Sequence, residues 1–168
     1  MQPTCKPWPI PIPEHHNGLV MKTPTTADAK RSLNDHVADK GMEVRAKYGP
    51  TIGWKEIQQV LLDRTLVRYP CEISFSAEDL REGEFAYPHQ IGDKPEDGFI
   101  IRVHPIFLTQ LKLVPYLVLY QLVAVNYGDF ATADDAETFG AEALGLDKEE
   151  YYEAICQLAD QLGGCGCA

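Results

Sequence analysis

The stretch that most limits how this chain can fold is YLVLYQLVAVNY, Tyr116 to Tyr127, in which only Gln121 and Asn126 are fully polar. Pro115 suits a first helical turn, where no N–H is needed, and Gly128 supplies a stop. A helix that is apolar all round has no solvated side and belongs at the centre of a domain. It falls short of the ~20 apolar residues that cross a bilayer, and Lys112 closes it upstream. Immediately before it, FIIRV (Phe99 to Val103) has the β-branched content of a strand, ended by His104-Pro105. Strand followed by buried helix is therefore the centre of the fold.

Other elements arrange themselves around that pair. A helix is expected from Thr25 or Thr26 to Gly49-Pro50, interrupted at Gly41, with Ala29, Leu33, Val37, Val44 and Tyr48 as its apolar stripe. A second follows Thr51 and runs towards Tyr69-Pro70, with Trp54, Ile57, Leu61 and Thr65 on one face. Cys71 to Phe75 alternates like a half-buried strand, Ser76 to Asp79 reads as a capped helical turn, and Glu84 to Tyr87 as a further strand. Thr132 caps a helix that stops at Gly145, and Asp147 with Glu150 opens the last one, which ends at Gly163-Gly164. The order predicts an α+β fold, a small mixed or antiparallel sheet packed on a buried central helix with flanking helices. The expected organisation is an extended arm over 1–24, a single domain over 25–162 and a Gly/Cys tail over 163–168.

The arm is defined by proline. Residues 3–13 hold five, with Pro7, Pro9, Pro11 and Pro13 at every second position, which enforces an extended or polyproline-like chain. Trp8, Ile10 and Ile12 alternate with them and are candidates for packing on the body or on a partner. His15 and His16 follow, but adjacent side chains on an extended chain point to opposite sides.

Charge excludes one class of function. The net charge is −10, and between Asp129 and Asp160 ten acids face one base, Lys148, so the rest of the chain is near neutral. Binding nucleic acid needs clustered Lys and Arg, which are missing. The acids fit two solvated helix faces, with Glu149 and Glu150 as candidates for meeting a basic protein partner. Five cysteines, without a disulfide-framework spacing or a basic-then-apolar leader, point to the reducing cytoplasm. Cys71 and Cys156 read as small buried hydrophobes.

The order from Thr51 to Ala154, about two thirds of the chain, resembles minimal gluzincin and SprT-like metallopeptidase domains. Helix, CEISF strand, polar connection, FIIRVHP strand, Leu113-Val114-Pro115 turn, apolar helix and the helix DDAETFGAEALGLD follow that family's sequence of elements. The resemblance implies a zincin-like fold whose central helix would carry His-Glu-x-x-His. Two histidines one turn apart hold zinc, and the glutamate takes a proton from the metal-bound water. Here those slots hold Tyr120, Gln121 and Ala124. Tyrosine, with a pKa of about 10, is a poor ligand at neutral pH. Gln121 cannot serve as a base and Ala124 has no donor atom. The third-ligand slot falls near Asp134, Asp135 or Glu137.

The expected function is therefore a non-catalytic, zincin-like domain, with neither cofactor nor metal, acting on a protein partner. Two rivals stand beside it. One is a metal-dependent hydrolase with a relocated site, using His89, His104 and Asp135. The other is a small metal- or thiol-handling module built on Cys165 and Cys167. Gln121, polar on a buried helix, is expected to find a tyrosine or backbone hydrogen-bond partner.

Overall fold

The computed structural model describes residues 23–163. Trp8, Ile10, Ile12, His15, His16, Cys165 and Cys167 lie outside the described residues, as does nearly all of the arm. Within them the helices are α1 (Thr26–Tyr48), α2 (Trp54–Leu62), α3 (Val114–Tyr127), α4 (Ala133–Leu144) and α5 (Lys148–Asp160). The strands are β1 (Cys71–Phe75), β2 (Ala86–Gln90) and β3 (Phe99–Val103). They form a mixed sheet in the order β1-β3-β2, with β3 parallel to β1 and antiparallel to β2. The α+β architecture with a small sheet on a buried central helix is present as expected.

α3 is the axis of one continuous core. Leu117, Leu119 and Leu122 are fully buried on it. Around them gather Ile101 and Val103 from β3, Ile57 and Val60 from α2, Phe139 from α4, and Tyr151 and Ile155 from α5. Alternation along β3, with Phe99, Ile101 and Val103 buried and Ile100 and Arg102 less so, marks the face turned to the helices.

Three local expectations are corrected. α1 runs unbroken through Gly41. A Cβ there would come within 2.7 Å of both the Phe139 carbonyl oxygen and the Glu142 Cβ, so this glycine permits close approach of α1 to α4. α2 ends at Leu62, before Thr65. The Asp63 carboxylate accepts from the Thr65 N–H (3.0 Å) and hydroxyl (2.7 Å), a local turn that competes with further helix. Finally, residues 76–85 form turns rather than a helical turn, with Asp79 at a φ of 66°, and the strand that follows begins at Ala86 instead of Glu84.

The cap expectations hold more closely. Thr25 and Thr132 each accept from a backbone N–H three residues on, and Asp28 and Asp135 return the bond. At α5 the Glu150 carboxylate accepts from the Asp147 N–H at 3.0 Å. Cys71 is half-buried and free, its thiol pushed up to about 12 by burial. Cys71 packs on the core as a half-buried small side chain, whereas Cys156, half-buried on α5, is not a free thiol and so departs from the expected small hydrophobe.

Candidate functional site

β2 lies at an edge of the described sheet, and its backbone orientation follows from two bonds. His104 N–H donates to Phe85 O (2.8 Å) and Ile91 N–H to Gly98 O (2.9 Å). With the antiparallel register, residues 85, 87, 89 and 91 bond to the ladder, while the backbones of Ala86, Pro88 and Gln90 face away from β3. Pro88, which has no N–H, sits at an outward position where the ladder loses nothing.

α3 approaches that outward side. Gln121 Nε2 donates to Ala86 O at 3.1 Å, tying helix to strand edge. The sequence anticipated a hydrogen-bonded Gln121, and its partner is backbone. Beside this contact opens a groove of about 1480 Å³. The helix α3 contributes Gln121, Ala124 and Val125 to it, and β2 contributes Tyr87 and Pro88. The start of α1 adds Ala29 and Leu33, and Phe130 stands at the turn after α3. Phe130 is 86% exposed and Tyr87 45% exposed, so aromatic surface lies open there. Ala29, at the start of the α1 stripe, is exposed at this groove, while Leu33 lines it and also packs, half-buried, against the core.

The three motif slots therefore diverge. Gln121 and Ala124 line the groove, while Tyr120 packs edge-on against Phe85, with ring centroids 5.8 Å apart. Burial raises the Tyr120 hydroxyl pKa above its ordinary value, and the nearby Glu137 and Tyr152 add to this. A phenol held further in its neutral form is a still weaker metal ligand.

The acids near the third-ligand slot serve packing. Asn34 Nδ2 donates to Asp134 Oδ2 (3.1 Å) and Asp135 Oδ1 (3.0 Å), joining α1 to α4, and Lys148 pairs with Asp134. Asp135 is buried; burial opposes its ionisation, but bonds from Asn34 and Thr132 prevail and hold its pKa below the usual range. Glu137 moves the other way, raised chiefly by burial, with Asp134 and Glu149 adding to the rise against Lys148.

The structure does not bring His89, His104 and Asp135 together. His89 lies near Asp79 (3.3 Å between Nδ1 and Oδ2). His104 caps the turn Pro105–Thr109 by accepting from Ile106 N–H at 3.2 Å. Its strand partner is Phe85, four residues from His89, a separation of roughly 13 Å along a strand. Among the described residues no group of three or more His, Cys, Asp and Glu side chains is placed to hold a metal ion. Glu149 and Glu150 are exposed at the start of α5.

Two positions went unassigned in the sequence. Asn126 is buried, donates to Leu66 O (2.8 Å) and accepts from Arg68 N–H (2.9 Å), pinning α3 to the segment after α2. Its only signal was being a second amide on an apolar helix. Phe130 had none, because nothing local distinguishes an exposed aromatic after a helix stop from a buried one.

Comparison of the chain with family models, curated proteins and solved structures yields no match. Its functional reading rests on its own residues.

Proposed function

We propose that this chain is a non-catalytic domain of zincin-like descent that binds another protein through the groove between α3, β2 and the start of α1. The observation that carries the reading is the Gln121 contact. Its position corresponds to the glutamate of the hydrolytic motif, yet the side chain donates an amide proton to Ala86 O. A carboxylate at that place would set an ionised acceptor against a carbonyl oxygen, which is unfavourable without a proton between them. The slot is suited to a donor, so the helix has a structural bond where the family has its base. Supporting this, α2, β1, β3, α3 and α4 come in the family's order, with β2 inserted in the connection between β1 and β3, and Ala124 offers the groove a methyl group in place of a ligand.

The partner in this reading is a protein rather than nucleic acid, since the charge of −10 repels phosphate. No helix among the described residues is long and apolar enough to cross a membrane.

Metal content of protein purified without an affinity tag tests it. The wild type is expected to carry no stoichiometric zinc and to cleave no peptide. Stoichiometric zinc in the wild type that disappears with H104A or D135N overturns the reading in favour of a relocated site. The partner itself is sought by capture from native extract, with Y87S/F130S as the control that should lose it.

A further inference from the structure

We propose that the groove's resident occupant is this chain's own Pro7-Trp8-Pro9-Ile10-Pro11-Ile12-Pro13 segment, folded back from the N-terminus as a tethered ligand. The inference rests on the groove being a docking site and adds what first fills it.

Position is the first argument. Pro24, Thr25 and Thr26 line the groove, so the chain enters the described fold at the groove itself. Ten residues, 14–23, separate Pro13 from Pro24. Such a linker can span at most roughly 35 Å, enough to turn back along the groove. A tether of this length gives an effective concentration on the order of millimolar, so even weak contacts suffice for occupancy.

Chemistry is the second. The outward edge of β2 cannot complete a regular ladder with an added strand, because Ala86 O is occupied by Gln121 and Pro88 has no N–H. What suits such an edge is a segment that needs few backbone bonds. Residues 7–13 have no N–H at alternate positions and no charge, and are set in an extended form before binding. Proline-rich segments of this kind dock on aromatic-lined grooves. Tyr69, Tyr87, Pro88 and Phe130 provide that lining, with Arg68 over one face of the Tyr69 ring at 5.5 Å. Trp8, Ile10 and Ile12 supply apolar groups for the exposed Ala29 and for the part of Leu33 that the core leaves uncovered. Any protein partner must then displace the arm, so the arm sets the threshold for binding.

The test places photoreactive p-benzoylphenylalanine at position 87, and separately at position 130, in the full-length chain without partner or metal. Irradiation at low micromolar concentration is followed by mass-spectrometric mapping. Expected is a cross-link within one chain to residues 7–13, at a yield independent of protein concentration and reduced severalfold by W8A/I10A. Cross-links to a second copy, to body residues alone, or at a yield indifferent to W8A/I10A overturn the proposal. Position 130, being 86% exposed, tolerates the probe if position 87 does not. The zinc measurement above is independent of this outcome, so either idea can fail alone.

Discussion

Gly41 shows how one residue can be misread from its type alone. Glycine inside a helical pattern suggests a break, since it costs about 1 kcal/mol relative to alanine. In the fold its missing side chain lets α1 touch the α4 backbone, and that contact outweighs the propensity loss. G41A sets the two effects against each other. The helix gains about 1 kcal/mol, but the new methyl group meets a carbonyl oxygen and a Cβ at 2.7 Å, neither of which can turn away. We expect a net loss of about 1–3 kcal/mol, as for overpacked cores, read as a lower urea midpoint. A raised midpoint would mean that α4 yields easily.

At the scale of elements, α3 is held to its neighbours by two amides. Asn126 joins it to the segment after α2, and Gln121 joins it to β2. N126A removes both a donor and an acceptor and leaves the Leu66 carbonyl and Arg68 N–H without them, so a loss of about 2–3 kcal/mol is expected. Q121E keeps the shape but turns a donor into an acceptor, with an expected loss of about 1–3 kcal/mol at pH 7. Equilibrium unfolding checks both; if Q121E matches the wild type, the Gln121 bond is dispensable. This also explains what was legible in the sequence. The buried helix and the neighbouring strand were readable from apolar run, proline and glycine. β2 was misplaced because Pro88 argues against a strand until the position is known to be an outward one at a sheet edge.

For the whole molecule, the response to acid follows from where α1 ends against α2. The Asp63 carboxylate accepts from Lys47, from Thr65 and from the Tyr48 hydroxyl (2.8 Å), and these hold its pKa well below the usual carboxylate range despite opposing burial. A carboxyl lowered on folding contributes fully above its unfolded pKa, about 4, and loses that contribution as pH falls from there towards the folded value. D63N is therefore expected to be less stable than the wild type at pH 7, with the gap narrowing as pH drops below about 4. Unfolding curves at pH 7 and pH 3 check this; an equal gap at both places the stabilisation in uncharged contacts.

The sequence by itself determined the fold class, the strand-then-helix centre, the cap at Thr132 and a helix start at Thr25 or Thr26. These are local properties: periodicity, capping chemistry and the identity of side chains at known spacings. Tertiary structure alone decided that β3 lies between β1 and β2, that His89 and His104 stay apart, and that Asp134 and Asp135 bind Asn34 rather than a shared site. It also decided that Ala29 is exposed at a groove beside the edge of β2, with Leu33 shared between that groove and the core. Each of these depends on which distant segment packs opposite a residue, and one chain's local pattern is compatible with several such pairings.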